Sequence, residues 1–169
     1  LINPCAFPDW ALEKYPHLKQ CGGGSLKFCM DAPESREIIE RFIRHVIPQI
    51  SEQPGLHSIC LKNEPIYRQS DQCKYVQTAW RDWLEHTHGD VKQLNRRYKA
   101  KHADFSDIPI PKEPLQPTPL YYDWSIFNHE RLAGWHGWMA DLIHGISPDL
   151  HVHANMVNWN PFERGNVTN

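Results

Sequence analysis

Asn63 and Glu64 are the residues whose types and position most directly suggest chemistry, because they follow a short apolar run at 56–61 that predicts a buried strand. In parallel α/β folds, functional side chains lie where strands end and loops begin. A carboxylate walled by apolar groups at such a point can act as a general acid near neutral pH. The Asn63 amide, which carries both donors and an acceptor, suits a sugar hydroxyl. The alternative is that Asn63-Glu64-Pro65 is only a turn, with Glu64 in solvent.

Asn155 marks a second point of this kind, at the end of a strand-like stretch that begins at Leu150. Within it, His151 and His153 would lie on the same side of the strand. Two alternating histidines can bind a metal, but no carboxylate partner is evident in the sequence. We therefore expect these histidines to be polar lining and predict no metal site.

The cysteines do not follow a pattern typical of a structural zinc site. Their number is odd, their spacings are wide and no Cys-x-x-Cys pair occurs. We expect mostly reduced thiols, with Cys60 as a small buried hydrophobic residue inside the first strand. The five are Cys5, Cys21, Cys29, Cys60 and Cys73.

The elements that must position these residues alternate between helix and strand patterns. A helix is predicted after Asp31, which can cap it, and its apolar side chains recur at three-and-four spacing as far as Ile50. After the first strand come a helix that stops at Gly89 and a short helix that starts at Asp90. A proline-rich extended loop at 103–121 and a long helix over about 125–146 precede the second strand.

This order predicts an α/β fold with parallel strands and helical crossovers. Two confident strands are too few for a complete parallel sheet. Either the chain is a piece of a larger barrel, or it is a small α/β domain with further strands that the patterns do not reveal.

Length and charge exclude several classes of protein. The 169 residues suit one domain, and 18 Lys and Arg against 20 Asp and Glu give a formal net charge of -2. No basic field is present to bind a nucleic-acid backbone. No apolar run approaches the roughly 20 residues of a membrane span. The sequence leaves open whether the protein is cytoplasmic or exported, and whether it forms a homo-oligomer.

A series of motifs along the whole chain resembles the clan A glycoside hydrolases, and within them the family 42 β-galactosidase-type barrels. The most specific part is 58–65, which is similar to the family's fourth barrel strand with its Asn-Glu signature. The other matching stretches are Pro8-Asp9-Trp10, Tyr15-Pro16, 22–29, 33–36, Trp80-Arg81-Asp82-Trp83-Leu84, His88-Gly89, Leu94-Asn95, 105–109, 122–127 and 148–155.

The resemblance implies that residues 1–169 are the central part of a single catalytic (β/α)8 TIM barrel domain, from about strand three to strand five. It implies that Glu64 is the general acid/base of a retaining glycosidase and that Asn63 binds the 2-hydroxyl of the sugar. Asn155 would help to line the subsite, and Trp10 and Trp159 would offer stacking faces for the sugar ring. The substrate would be a β-linked oligosaccharide, and no cofactor is implied.

The sequence departs from the family pattern in two places. The second carboxylate of a retaining mechanism comes from the seventh strand in this clan, so we expect the nucleophile to lie outside these residues. Many family members hold a zinc with four cysteines. Cys29 and Cys73 fall near two of those positions, but the close trio of cysteines after the Asn-Glu strand is missing. We therefore predict no zinc, and leave open whether Cys29 and Cys73 pair.

Two rival functions remain. One is a non-catalytic, carbohydrate-binding relative that keeps Asn63 and the aromatic residues. The other is a small α/β interaction domain that binds a partner through its proline-rich loop at 109–119.

Overall fold

A computed structural model describes residues 7–21, 28–65, 73–111 and 117–155, and its elements follow the predicted alternation of helices and strands. In chain order the elements are α1 (Asp9–Lys14), α2 (Pro33–Ile50), β1 (Ser58–Asn63), α3 (Lys74–His88), α4 (Val91–Tyr98), α5 (Pro119–His144) and β2 (His151–Asn155). Short 3₁₀ segments occur at Pro16–Cys21 and Phe105–Asp107. Within the residues described, no helix combines the length and the apolar character that crossing a membrane requires.

Helix α2 confirms the predicted apolar stripe but not the predicted cap. Its N-cap is Ala32, with no side-chain hydrogen bond, and Pro33 occupies the first turn. Asp31 instead forms an ion pair with Arg131 of α5. The prediction that Asp31 caps the helix was therefore wrong, because a guanidinium held 100 residues away in sequence takes the carboxylate. The buried stripe consists of Ile39, Ile43 and Ile47.

The boundary between α3 and α4 is as predicted. Gly89 ends α3 at a φ of 76°, a conformation that costs glycine little and other residues more. The Asp90 side chain then caps α4 by accepting a hydrogen bond from the Gln93 N–H at 2.9 Å.

Helix α5 begins at Pro119, about six residues earlier than predicted, and so the proline-rich loop is shorter than expected. Pro119 occupies the first turn, where a missing N–H costs nothing. Thr118 supplies the cap, since its hydroxyl accepts a hydrogen bond from the Tyr121 N–H at 3.2 Å. Counting Pro119 among the loop prolines overlooked this use of proline at a helix start.

Strands β1 and β2 pair in parallel, as predicted, with Ser58 opposite His151 and Cys60 opposite His153. Helix α5 contacts both strands and also packs against α2. The core lies between the helices and one face of this pair, where Ile59 and Leu61 are buried. His151, His153 and Asn155 alternate on the other face and are exposed.

Strand β1 contains a bulge near its carboxyl end. Cys60 is opposite His153, but the next recorded pair is Asn63 opposite Asn155, so β1 uses one more residue than β2 over this interval. As a result, the consecutive residues Leu61 and Lys62 are both buried, at 3% and 2% exposure. Asn63 then returns to the exposed face beside Asn155.

Candidate functional site

Asn63 and Asn155 meet at the carboxyl edge of the two parallel strands. They are register partners, and the Asn155 Nδ2 donates a hydrogen bond to the Asn63 Oδ1 at 2.6 Å. Both side chains are exposed. The two points that the sequence marked separately therefore form one polar surface, on elements fixed by the helix layer behind them.

Glu64 directly follows this pair in an unusual backbone conformation. Its φ is 49°, in the left-handed region, which costs a residue with a Cβ about 1–2 kcal/mol. Its N–H donates a hydrogen bond to the Asn155 carbonyl oxygen at 2.7 Å, which anchors the residue to the neighbouring strand. Strained backbone of this kind is often found at functional sites, where surrounding contacts hold it in place.

The Glu64 side chain is exposed, so the apolar walls that we expected around it are not provided by the described part of the chain. An exposed carboxylate at a strand end can reach a ligand and exchange a proton with it. The edge thus presents one carboxylate beside two amides, and all three side chains are exposed.

Lys62 lies beneath this edge and was not singled out from the sequence. It is 2% exposed, and its positive charge is felt by His136 on α5. Burial lowers the pKa of His136 and Lys62 lowers it further, while a 2.8 Å contact between its Nδ1 and the Leu132 carbonyl oxygen acts in the opposite sense. The sequence did offer a signal for this residue, because Lys62 directly follows the apolar run at 56–61. Lysine is rarely buried in proteins, so a lysine at such a position deserved notice.

The predicted stacking residues are less informative. Trp10 lies on α1 with 61% of its surface exposed, as a platform for a sugar ring requires, and its role remains a prediction. Trp159 lies outside the described residues.

The structure brings Cys29 and Cys73 together but does not pair them. Their Sγ atoms are 3.2 Å apart, Cys29 is a free thiol, and Cys73 is disulfide-bonded. Burial and the nearby Asp31 carboxylate raise the pKa of Cys29 to about 11. In 7–21, 28–65, 73–111 and 117–155 there is no group of three His, Cys, Asp or Glu side chains that could hold a metal ion. Cys60 is half-buried rather than fully buried as predicted, because it lies on the outward face of β1.

Comparison with known proteins gives a consistent result over nearly the whole chain. The model of the Glyco_hydro_42 family, described as β-galactosidase, matches residues 3–168. The β-galactosidase YesZ of Bacillus licheniformis is 24% identical over an alignment 178 residues long, gaps included, which covers 93% of this chain and 26% of that protein. The chain thus spans about a quarter of the length of the curated relatives it matches.

Solved structures show the same fold. The apo exo-carrageenase GH42 of Bacteroides ovatus superposes with a TM-score of 0.86 at 24% identity, over 99% of this chain and 25% of that one. The β-galactosidase of Bacillus circulans sp. alkalophilus gives a TM-score of 0.81 at 19% identity, over 94% of this chain and 26% of that one. The expected fold class, part of an α/β barrel with parallel strands and helical crossovers, is confirmed.

Proposed function

Because the chain belongs to the Glyco_hydro_42 family of β-galactosidases, we propose that it is the central part of the single catalytic barrel of a retaining glycoside hydrolase. The enzyme would remove a terminal β-linked sugar from an oligosaccharide. Galactose is the proposed sugar, because the family and the relative from Bacillus licheniformis are both named for β-galactosidase activity.

The observation that carries this proposal is the pairing of Asn63 with Asn155 directly before Glu64, at the carboxyl edge of two parallel strands. Barrel enzymes place their reacting groups at this edge. Glu64 would protonate the leaving oxygen and then activate the water that releases the sugar. Asn63 would bind the 2-hydroxyl, a contact that strengthens in the transition state.

A retaining mechanism also requires a nucleophilic carboxylate about 5 Å from the acid/base. We propose that a later barrel strand supplies it, in the part of the protein that corresponds to the remaining length of the relatives. Trp10 and Trp159 would bind the apolar face of the sugar ring. No cofactor is needed, since two carboxylates supply both proton transfer and covalent catalysis.

The test is Glu64→Gln in the full-length protein. Hydrolysis of a β-galactosyl oligosaccharide should fall about 10²–10⁴-fold, because glutamine cannot donate the proton that the leaving oxygen requires. An aryl β-galactoside with an acidic phenol needs no such proton, so its phenol should still be released in a rapid first step. Added azide should replace the activated water and restore turnover.

Glu52→Gln is the matched control, because it removes an exposed carboxylate from the loop that precedes β1, at the opposite end of the strand. It should leave both activities unchanged. Wild-type hydrolysis of the oligosaccharide by the Glu64→Gln protein would refute the role of Glu64. Sugar binding by the wild-type protein without turnover would favour the carbohydrate-binding alternative.

A further inference from the structure

We propose that Asn155 is a positioning residue, which orients the Asn63 amide so that its N–H₂ group faces the sugar. This inference rests on the proposed function and changes the role of Asn155, which we had expected to line the subsite itself. The role depends on a contact between the side chains of Asn63 and Asn155, which lie on neighbouring strands. The residue types alone do not predict this contact.

Asn155 engages the Asn63-Glu64 dipeptide at two points. Its side-chain Nδ2 donates to the Asn63 Oδ1 at 2.6 Å, and its carbonyl oxygen accepts the Glu64 N–H at 2.7 Å. The first contact depends on the asparagine side chain. The second belongs to the backbone and is retained in any substitution that keeps the strand in place. A change at position 155 therefore separates the orientation of Asn63 from the conformation of Glu64.

The side-chain contact determines which end of the Asn63 amide is available. An amide has an acceptor end and a donor end, and a rotation of 180° exchanges them. Because the Oδ1 is directed to Asn155, the Nδ2 is the end left to bind a ligand, and it binds as a donor. Asn63 would then donate to the oxygen of the sugar 2-hydroxyl. Without Asn155, both amide orientations become accessible, and part of the population presents an acceptor.

The register explains why position 155 can act in this way. The bulge in β1 brings Asn63 opposite Asn155, and both are exposed on the same face. Pairs directly opposite one another on adjacent strands are close enough for their side chains to interact. Both amides stand on a sheet rather than a loop, and β2 is held by contacts with β1 and α5.

The experiment compares an aryl β-galactoside with its 2-deoxy analogue in the full-length wild type, Asn155→Ala and Asn155→Asp. Asn155→Ala should lower kcat on the 2-hydroxy substrate about 10-fold, the scale of one hydrogen bond, and change kcat on the 2-deoxy substrate less than about 2-fold. Asn155→Asp should show the same selective loss, because an ionised carboxylate only accepts and attracts the Asn63 N–H₂ group away from the ligand. His151→Ala, on the same face of β2, controls for disturbance of the strand and should leave the ratio of the two substrates at its wild-type value.

Equal losses on both substrates, or no loss on either, would overturn the positioning role. A binding measurement distinguishes this result from a failure of the proposed acid/base. In a Glu64→Gln background, Asn155→Ala should weaken the binding of galactose relative to 2-deoxygalactose, without any need for turnover. Loss of that preference together with normal hydrolysis by Glu64→Gln would support the positioning role of Asn155 and reject the role of Glu64.

Discussion

The hydrogen bond between Asn155 and Asn63 shows how much of this site depends on the orientation of single groups. Asn63, Glu64 and Asn155 could each be selected from the sequence, because each follows an apolar strand. The orientation of the Asn63 amide and the left-handed φ of 49° at Glu64 could not be predicted from the sequence, because both depend on the neighbouring strand. Residue types therefore predict where chemistry can occur, and the cross-strand contacts determine its geometry.

Asp90 provides a residue-scale prediction about pH. Its hydrogen bond from the Gln93 N–H lowers the pKa of the Asp90 carboxyl below its ordinary value. A lowered folded-state pKa means that the cap stabilises α4 fully above the unfolded-state pKa of about 4 and loses this effect as the pH falls through the folded-state value. The protection factor of the Gln93 amide in hydrogen exchange should therefore stay constant from about pH 6 to about pH 4 and fall as the pH is lowered further.

Asparagine is also a good helix cap but does not titrate, so a cap of that type is not subject to the same loss. The Asp90→Asn protein should keep a protection factor at Gln93 that is independent of pH over the same interval. A parallel decline in both proteins would show that the change arises elsewhere.

At the scale of elements, one carboxylate joins three helices. Asp123 of α5 accepts hydrogen bonds through its Oδ2 from the His88 Nε2 of α3 at 2.8 Å and from the Tyr98 hydroxyl of α4 at 2.6 Å. Arg97 approaches the His88 Nδ1 at 3.4 Å, and because arginine only donates, the ring hydrogen belongs on Nε2. Burial and the Asp123 carboxylate raise the pKa of Tyr98 well above its usual range.

Removing that carboxylate should loosen all three helices. Asp123→Ala leaves the His88 ring, whose side chain is 1% exposed, without its acceptor, and we expect a loss of about 1–3 kcal/mol in the free energy of unfolding. Tyr98→Phe removes one donor and keeps the His88 contact, so its loss should be smaller, about 0.5–1.5 kcal/mol. Urea unfolding of the full-length protein measures both. A larger loss from Tyr98→Phe than from Asp123→Ala would contradict this account.

The sequence was a good guide to elements whose boundaries are set locally and a poor one where distant residues intervene. Gly89 and Asp90 end and start their helices through their own backbone and side chain, and both boundaries were predicted. Asp31 has the type of a cap, but Arg131 binds it. The residues near Asp31 in the sequence do not predict that Arg131 is its partner. The bulge in β1 is likewise invisible in a run that the sequence shows only as short and mostly apolar.

At the scale of the whole molecule, the helices in 7–21, 28–65, 73–111 and 117–155 cover one face of the two strands and leave the other exposed. Ile59 and Leu61 are buried on that face, whereas His151, His153 and Asn155 on the other are exposed. A parallel sheet is ordinarily covered on both faces. In a complete barrel the exposed face would turn inward and be packed by side chains from the other strands.

Cys60 tests this arrangement, because it is a half-buried free thiol opposite His153. In the full-length protein iodoacetamide should modify Cys60 slowly, since the barrel interior is filled. In residues 1–169 expressed alone it should react at least about 10-fold faster, because the thiolate is the nucleophile and access then limits its reaction.

Cys29 is the internal control for that comparison. It is buried, and its pKa of about 11 keeps it protonated near neutral pH, so it should stay unmodified in both proteins as long as the piece keeps its fold. Equal protection of Cys60 in the piece and in the whole protein, with Cys29 unmodified, would show that the outward face of β1 is not covered by further strands.

The extra residue between Cys60 and Asn63 determines which side of the sheet Asn63 faces. If β1 instead paired regularly from Cys60 onward, with no bulge, Lys62 would stand opposite Asn155, and strand alternation would turn Asn63 toward the helices. Asn63 and Glu64 would keep their chemical identities, but they would change sides relative to the neighbouring strand. A regular strand with one residue fewer between Cys60 and Asn63 would, by contrast, keep Asn63 opposite Asn155. When related chains are compared, the length of this segment and the presence of its bulge must therefore be read together.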